Sequence, residues 1–261
     1  MTAPLPSMIT VAALNRLPGV RHAFFTREGG TSKGLFSSLN CSFSSGDDSA
    51  NVQANRDLAV AQLDLPPDRL ASVSQCHSNK VVVVEGDRPS PPIEADAMVT
   101  LRRGIALGVL SADCAPVLLA DRKANVIAAV HAGWRGALGG VLDNAVEAMV
   151  ALGAKTSRIA AAVGPCIAQR SYEVGPEFPA AFLEQDGDNH FFFTASAREG
   201  HYFFDLPGYV ARRLSKAQVL DVARTPCDTY REESRFFSYR RSVLKNEGDY
   251  GRNLSVIVLE R

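Results

Sequence analysis

Two histidines and one cysteine stand at the ends of apolar segments: His77 in SQCHSN, Cys114 in SADCAP and His131 in VHAGWRG. Small or turn-forming residues flank each of them, which is typical of side chains that project into a cleft at a sheet edge. Two imidazoles and one thiolate suit Zn²⁺ with an open fourth position, or copper. A metal with an open position can activate water for attack on carbon. The three residues are therefore candidate metal ligands and candidate catalytic residues.

The same residues also fit a mechanism without a metal. Cys114 could act as a nucleophile, with His131 or His77 as its base and Asp113 or Asp96 orienting the imidazole. The sequence contains no CxxC or HExxH pair, so spacing alone does not distinguish a metal-bound thiolate from an attacking one. Both alternatives require the cysteine and the histidines to converge, and both stay open at this point.

Buried strands must hold these residues in place. The segments GIALGVLSADCAPVLLAD, NVIAAVHAGWRG and SRIAAAVGPCI are nearly continuous apolar runs, a pattern typical of strands covered on both faces. The segment LASVSQCHSNKVVVVEG is predicted to be a strand pair or one strand interrupted at the histidine, and RPSPPIEADAMVT a loop that leads into a strand. The segments RFFSYRRS and LSVIVLER are predicted closing strands.

Helical spacing of apolar residues appears between these strands, in SANVQANRDLAVAQLDL, ALGGVLDNAVEAMVALG, GPEFPAAFLEQ and LPGYVARRLSKAQ. Ser49 is the expected N-cap of the first helix, and Gly153 lies near the end of the second. Strands that alternate with helices predict a mixed α/β fold in which β-sheets are layered with helices. Because no linker-like break interrupts the hydrophobic pattern, we expect residues 1–261 to form a single domain.

Charge and composition exclude some classes of partner. Lys plus Arg and Asp plus Glu both number 28, and this balance argues against nucleic acid or an anionic membrane. No apolar stretch reaches the length of a membrane span, and the N-terminus lacks the basic start of a signal peptide. The five cysteines are odd in number and widely spaced, unlike a disulfide framework. We expect a cytoplasmic, monomeric protein.

Several further motifs occur in a fixed order: FFTREGGTSKGLFSSLN, SQCHS, EADAMVT, SADCAPVLLAD, VIAAVHAGWRG, VGPCI with SYEVG, and FFSYRR with GR. Together they resemble the YfiH/YlmD family, also called the laccase-domain or polyphenol oxidoreductase family. The resemblance covers the chain from about residue 20 to its end. It implies a YfiH-like fold and zinc bound by His77, Cys114 and His131. It also implies phosphorolysis of adenosine, inosine, guanosine and methylthioadenosine, and deamination of adenosine, with a nucleoside and phosphate as the partners.

The family name also suggests copper-dependent phenol oxidation. A type-1 copper and a three-copper cluster together need many imidazoles, whereas the chain has five histidines. Of these, His22, His190 and His201 lack ligand-like spacing, and the last two are predicted hairpin residues. We therefore expect no multicopper cluster, while a single copper in the site of two histidines and one cysteine stays an alternative.

Other residues are candidates for binding substrate or supporting the ligands. Arg27, beside a Gly-rich turn, is predicted to bind phosphate or ribose, or else to be a solvated charge. Asn40 is a candidate substrate-facing amide or a turn residue. Arg240, in the motif YRR, could stack on a base or clamp an anion, or belong to an edge strand. Asp96 and Asp113 are predicted hydrogen-bond partners of the ligand imidazoles.

Three residues beside the predicted ligands receive structural interpretations. Cys76 stands where an aliphatic residue is more usual in the family, and we expect it to be packed. Trp134, the only tryptophan, is a predicted core residue. Arg135 is predicted to brace the turn.

Overall fold

A computed structural model describes residues 5–86 and 93–260. Its strands are β1 (Met8–Ile9), β2 (Val20–Phe25), β3 (Leu70–Ala71), β4 (Val81–Val83), β5 (Ala97–Thr100), β6 (Ala106–Ser111), β7 (Ala115–Asp121), β8 (Val126–Ala132), β9 (Ala160–Val163), β10 (Glu173–Val174), β11 (Phe193–Ala195), β12 (Tyr202–Phe204), β13 (Asp221–Arg224) and β14 (Asn253–Leu259). Its α-helices are α1 (Ala12–Asn15), α2 (Ser49–Ala61), α3 (Trp134–Leu138), α4 (Val141–Ala151), α5 (Phe178–Gln185), α6 (Leu206–Lys216) and α7 (Tyr239–Leu244).

The strands form two large mixed sheets and one small one. The five-stranded sheet has the order β1-β2-β14-β6-β3, and the six-stranded sheet has the order β13-β9-β7-β8-β5-β4. Most neighbours are antiparallel, but β3 pairs with β6, β4 with β5 and β13 with β9 in parallel. The three-stranded sheet β10-β12-β11 is antiparallel. The prediction of mixed sheets layered with helices is confirmed.

The two large sheets pack face to face. Phe24, Leu107 and Ile257 of the five-stranded sheet share one core with Met98 and Leu118 of the six-stranded sheet. Because side chains alternate along a strand, the neighbours of these residues point to the outer faces. Helix α2 covers the outer face of the five-stranded sheet, and helices α4 and α6 cover that of the six-stranded sheet. Strands β7 and β8 are therefore buried along their whole length.

Two predicted helices differ from the structure at their starts. The side chain of Asp48, rather than the predicted Ser49, caps α2 by accepting a hydrogen bond from the backbone N–H of Ala50. The single helix predicted from residue 137 is two, because the chain turns through Gly140 at a φ of 92°. This left-handed conformation favours glycine and separates α3 from α4.

Two predicted strand segments also differ. The segment RFFSYRRS is not a strand, since it leads into helix α7, which Ser238 caps by accepting a hydrogen bond from the backbone N–H of Arg241. The segment from residue 70 to residue 86 does contain two strands, but β3 and β4 belong to different sheets. The loop predicted over RPSPPIEADAMVT falls partly on residues 87–92, outside the described residues, and its last part is strand β5.

That residues 1–261 form a single domain stays a prediction. Among the described residues, no helix combines the length and the apolar character needed to cross a membrane.

Candidate metal centre between two cavities

The three predicted ligands converge where the chain passes from one large sheet to the other. His77 lies in the connection between β3 and β4, and Cys114 lies in the connection between β6 and β7. In both connections the chain leaves the five-stranded sheet and enters the six-stranded sheet. His131 is the penultimate residue of β8, directly opposite Pro116 of β7. Residues far apart in sequence are thus collected at one end of the sandwich.

The geometry of the three side chains fits one metal ion. A ligand atom from each of His77, Cys114 and His131 lies within 4.8 Å of the other two. The Cys114 Sγ is 3.8 Å from His77 Nε2, and the two imidazole rings have centroids 4.9 Å apart. At 3.8 Å, the Cys114 and His77 ligand atoms can share an ion at the usual bond lengths of about 2.0–2.3 Å. Two nitrogens and one sulfur suit zinc or copper better than calcium or magnesium.

Asp96, which is fully buried, organises the site. Its Oδ1 accepts hydrogen bonds from His131 Nδ1 at 2.8 Å and from the backbone N–H of His77 at 3.0 Å. Its Oδ2 accepts from the backbone N–H groups of Cys76 and Ser78 and from the Ser78 hydroxyl. One carboxylate therefore orients one ligand ring and fixes the loop that carries the other. The predicted role of Asp96 agrees with this geometry.

The glycines of HAGWRG leave room for the ligands. A Cβ at Gly133 would lie 2.9 Å from both Cys114 Sγ and His77 Cδ2, and one at Gly136 would lie 3.0 Å from the carbonyl oxygen of Ser78. The φ of Gly133 is −71°, which any residue adopts. Space beside the ligands, and not backbone conformation, therefore requires glycine at position 133.

The side chains of the site shift one another's protonation in the protein without metal. Burial acts to raise the pKa of Cys114, but the neighbouring imidazoles of His131 and His77 outweigh it and lower that pKa to about 6. Burial acts to lower the pKa of His131, but the Cys114 thiolate and Asp96 raise it to about 9. Cys114 is therefore held as a thiolate, the form that binds metals and attacks electrophiles.

Asp113 has a different role from the predicted one. Its carboxylate is buried and accepts hydrogen bonds from the hydroxyls of Thr229 and Ser238, at 2.6 and 2.9 Å, and from the backbone N–H of Arg240 at 2.6 Å. None of its hydrogen bonds in the described structure is to a ligand imidazole. Asp113 instead anchors the start of helix α7, while its neighbour Cys114 faces the metal site.

An aromatic cavity of about 390 Å³ opens on one side of the ligands. Its volume falls within the range of about 300–1,000 Å³ usual for small-molecule sites. The Arg240 guanidinium lies 5.3 Å from the Tyr172 ring centroid and donates to the carbonyl oxygen of Glu173. The cavity is lined by His77, Ala112, Asp113, Cys114, Trp134, Arg135, Ile167, Tyr172, Glu173, Val174, Gly175, Phe178, Leu206, Tyr239 and Arg240.

A second cavity, of about 350 Å³, also borders the ligands and is called the serine–arginine cavity below. It shares His77, Ala112 and Cys114 with the aromatic cavity. Its further walls include His131 and are rich in hydroxyl and guanidinium groups. These walls include Ser42, Phe43, Ser44, Arg56, Ser72, Ser74, Gln75, Ser111, Tyr250 and Arg252. The ligands thus form the boundary between two chemically different spaces.

Two predicted substrate residues lie outside both cavity linings. The guanidinium of Arg27 donates to the backbone carbonyls of Ser37, Leu35 and Glu233, so it braces a loop. Asn40 is fully buried, and its Oδ1 accepts from the backbone N–H of Arg252. Asn40 therefore supports a wall residue from behind, whereas the predicted Arg240 lines the aromatic cavity directly.

For several residues beside the site, the sequence-based prediction of burial was wrong or no role was predicted. Cys76 is exposed, contrary to the expected packing, because its strand has ended before it. Trp134 is only half-buried and faces the aromatic cavity with Arg135, whose guanidinium lies 4.5 Å from the tryptophan ring centroid. The cavity residues Tyr172 and Arg252 carried no predicted role, although both lie in the quoted motifs SYEVG and GR.

Comparison with known proteins identifies the family. A family model described as multi-copper polyphenol oxidoreductase laccase matches residues 21–260. The chain belongs to this laccase-domain family. The predicted resemblance to YfiH and YlmD is confirmed by solved structures. YfiH of Bacillus licheniformis is 27% identical with a TM-score of 0.89, covering 98% of this chain and 97% of that one. YlmD of Geobacillus stearothermophilus is 28% identical with a TM-score of 0.86, covering 94% and 93%.

Curated relatives of this chain are named for a different activity, that of a phosphorylase. A Deinococcus radiodurans protein named purine nucleoside phosphorylase is 40% identical over 263 residues, covering 100% of this chain and 96% of its own length. A Streptomyces griseus protein named purine nucleoside phosphorylase ORF3 is 43% identical over 223 residues, covering 84% and 88%. Similarity thus extends over nearly the whole chain.

The multi-copper description of the family does not match the ligands of this member. Within residues 5–86 and 93–260, His77, Cys114 and His131 are the one cluster suited to a metal. His22 accepts a hydrogen bond from the backbone N–H of Val11 and lies in a different part of the sandwich. His190 lies in a 3₁₀-helix, contrary to the hairpin prediction, whereas His201 directly precedes β12 of the β11–β12 hairpin. The described residues therefore offer one site for one ion.

Proposed function

We propose that this protein is a zinc-dependent purine nucleoside phosphorylase of the cytoplasm. Its substrates are adenosine, inosine, guanosine and methylthioadenosine together with inorganic phosphate, and it also deaminates adenosine. The observation that carries the proposal is the aromatic cavity that opens onto the cluster of His77, Cys114 and His131. The names of the curated relatives support the phosphorylase reaction.

The aromatic cavity suits a nucleoside. Trp134, Tyr172, Phe178 and Tyr239 offer ring faces and edges to a purine. The Glu173 side chain, on the same wall, provides carboxylate oxygens that can accept hydrogen bonds from ribose hydroxyls. Such contacts fix the sugar relative to the ligands and exclude water from the glycosidic bond.

Zinc fits the ligand set because two nitrogens and one thiolate sulfur leave a coordination position for a reactant. When bound, the ion supplies Lewis acidity at the boundary between the two cavities. The chain contributes the orientation of the ligands: Asp96 holds His131 through Nδ1, which leaves Nε2 to face the site. The hydrogen bonds from the backbone of residues 76–78 to Asp96 hold His77 in place beside His131.

In phosphorolysis a phosphate oxygen forms a bond to the anomeric carbon while the bond from that carbon to the purine nitrogen breaks. The electron pair of the broken bond remains on the purine, which takes up a proton and leaves as the free base. The other product is the sugar 1-phosphate. The chain must therefore bind two reactants on opposite sides of one carbon, and two cavities meet at His77, Ala112 and Cys114.

The test is chromatographic separation of the products from adenosine, inosine, guanosine and methylthioadenosine, with and without phosphate, together with metal analysis of the purified protein. Free base that forms only with phosphate supports phosphorolysis, and inosine formed from adenosine supports deamination. Protein that is loaded with zinc and forms neither product would overturn the proposal. Cys114→Ser should lose both activities, whereas Cys227→Ser, a half-buried cysteine that lines neither cavity, should retain them.

A second candidate function is a cysteine hydrolase or amidase that acts without metal. The alignment of Asp96, His131 and Cys114 favours it, because the carboxylate holds the imidazole at 2.8 Å and the imidazole lowers the thiol pKa. Activity that survives a chelator and is lost when an alkylating reagent labels Cys114 would favour this function. Loss of activity on chelation, with recovery on zinc addition, would contradict it.

Single-copper phenol oxidation, the remaining alternative, predicts oxygen uptake with a phenol in proportion to bound copper. The description of the family model favours this alternative, and the ligand set of two nitrogens and one sulfur is compatible with copper. Oxygen uptake that does not depend on bound copper would contradict it.

A further inference from the structure

The two cavities differ in charge. The aromatic cavity balances the guanidinium groups of Arg135 and Arg240 against the carboxylates of Asp113 and Glu173. No Asp or Glu is among the described residues that line the serine–arginine cavity, where Arg252 presents its guanidinium beside uncharged hydroxyl groups. A site with excess positive charge and low-dielectric walls concentrates anions. The serine–arginine cavity is therefore the electrostatically favourable one for an oxyanion.

Arg252 supplies much of this charge. Its guanidinium donates to the hydroxyl groups of Ser42 at 2.8 Å and Tyr250 at 3.2 Å, and it lies 4.6 Å from the Tyr250 ring centroid. These partners are uncharged, so they orient the guanidinium without neutralising it. A held guanidinium with several donors suits a phosphate, which it can bind through two parallel hydrogen bonds.

The sheet places Arg252 next to the reaction centre. Asn253 of β14 is opposite Ser111 of β6 in an antiparallel pair. Arg252 and Ala112 directly adjoin this pair, and Ala112 lines both cavities and is two residues before Cys114. An anion bound by Arg252 would thus lie beside the boundary at which the cavities meet.

Hydroxyl donors complete the wall. Ser42, Ser44, Ser72, Ser74 and Ser111 line the same cavity. Arg56 lies with them and donates to the Ser72 hydroxyl at 2.8 Å. Hydroxyl groups can donate to phosphate oxygens and reorient to suit them. Phe43 and Tyr250 narrow the cavity without adding charge.

We propose that the serine–arginine cavity is the phosphate site, with Arg252 as its main ligand, and that the nucleoside occupies the aromatic cavity. This assignment rests on the proposed function and divides its two substrates between the two sides of the cluster. Displacement at the anomeric carbon requires the incoming oxygen and the departing purine to lie on opposite sides of that carbon. Two cavities that meet at His77, Ala112 and Cys114 give the two reactants separate positions next to one carbon.

The test is steady-state kinetics of inosine phosphorolysis, with phosphate and inosine varied separately. For Arg252→Gln we expect the KM for phosphate to rise about 10- to 100-fold, the usual cost of losing hydrogen bonds to a charged group. The KM for inosine should change by less than about twofold. Arg252→Lys, which keeps the charge but not the planar fork, should give an intermediate KM for phosphate. Tyr172→Leu should show the opposite pattern and raise only the KM for inosine.

A second variant keeps the test valid if Arg252→Gln does not fold, as judged by circular dichroism. Ser44 is exposed at the serine–arginine cavity, so Ser44→Asp places a negative charge there without disturbing the core. It should raise the KM for phosphate several-fold. Ser49→Asp makes the same change on an exposed residue that lines neither cavity and should leave both KM values unchanged.

The outcomes separate this proposal from the proposed function. If the wild-type protein releases no purine base in the presence of phosphate, the proposed function fails. If it releases base but Ser44→Asp and folded Arg252→Gln leave the KM for phosphate unchanged, the assignment of the cavities is wrong. A raised KM for inosine alone in either variant would also overturn it.

Discussion

At the scale of single residues, the carboxylates show how far side-chain type predicts a role. Asp96 and Asp113 have the same chemistry and both are buried. The hydrogen bond from His131 Nδ1 makes Asp96 a support of the metal ligands. The hydrogen bonds from Ser238 and Arg240 make Asp113 a support of the aromatic cavity. Contacts, and not residue type, therefore distinguish the two.

Replacing Asp96 should weaken metal binding. Asp96→Asn keeps the size of the side chain but removes the charge that orients His131 and an acceptor that the loop of His77 needs. Supporting residues of this kind usually contribute about 10- to 100-fold to metal affinity. We expect a loss of that size in zinc affinity, measured by competition with a chromophoric chelator.

Asp113→Asn is the matched control, because it neutralises a second buried carboxylate, next in sequence to the ligand Cys114. We expect the zinc affinity to change less than about threefold, since Asp113 contacts no ligand imidazole in the described structure. The KM for the nucleoside should rise, because the start of α7 carries Arg240 and Tyr239 of the aromatic cavity. Equal losses of zinc affinity in the two variants would contradict the separate roles.

At the scale of elements, the apolar pattern predicted the strands that carry the ligands but not the elements that close the cavities. The runs around Cys114 and His131 are buried on both faces, so their composition alone indicates β7 and β8. The segment RFFSYRRS, which leads into helix α7, was wrongly predicted to be a strand because its aromatic residues favour strands. What makes it helical is the cap by Ser238 and the contact with Asp113, from a residue more than 100 positions away.

The turn after β8 should be intolerant of any side chain at Gly133. In Gly133→Ala the new Cβ would lie 2.9 Å from Cys114 Sγ and His77 Cδ2, closer than carbon contacts allow. The backbone conformation accepts alanine, so the protein should fold while the ligands are forced apart. We expect zinc stoichiometry well below that of wild type, measured by metal analysis after gel filtration.

Gly187→Ala provides the control for this turn. A Cβ at Gly187 meets no atom within 4 Å, and its φ is not in the left-handed region. It should bind zinc like wild type. Full zinc binding by Gly133→Ala would show that the ligands can move apart without cost and that the glycine is not needed for the site.

At the scale of the whole molecule, sequence order indicated layers of sheets and helices, yet it could not indicate which strands share a sheet. Strands β3 and β4 are neighbours in sequence but belong to different sheets. The same holds for β6 and β7, and this crossing brings His77 and Cys114 together. Because the cavities form from loops of both sheets, residues such as Tyr172 and Arg252 acquire a role only after the sheets have packed.

Burial of His22 in the five-stranded sheet makes stability depend on pH. Burial lowers the pKa of His22 from 6.5 to about 4, so protonation favours the unfolded chain. The neutral form accepts a hydrogen bond from the Val11 N–H through Nε2. The contribution of neutral His22 to the free energy of unfolding is fully present above pH 6.5. It is lost as the pH falls towards 4, by up to about 3 kcal/mol.

Comparison with His22→Gln isolates this effect, because glutamine can accept the same hydrogen bond but does not titrate. Urea unfolding at several pH values between about 7 and 4 should show a steeper loss of the free energy of unfolding in wild type. The difference in the free energy of unfolding between wild type and His22→Gln should therefore change by about 3 kcal/mol over this pH range. Parallel curves for the two proteins would show that His22 keeps an ordinary pKa in the folded state.

Metal binding should stabilise the whole fold, because the ligands join two connections between the large sheets to strand β8. An ion that binds the folded chain at 100 times its dissociation constant contributes about 2.7 kcal/mol. For a chain of 261 residues this corresponds to a rise in Tm of roughly 5–10 °C. Chelated wild-type protein, reloaded with zinc, should show this rise in a thermal melt.

Two histidine variants decide whether the rise comes from the proposed site. His77 is exposed, so His77→Ala should fold, yet zinc should no longer raise its Tm. His190 is also exposed, but it lines neither cavity and its ring donates to the carbonyl of Gly187, so His190→Ala should keep the full rise. An equal rise in wild type and His77→Ala would place the stabilising metal elsewhere. If zinc does not raise the Tm of the wild-type protein, metal binding does not stabilise the fold.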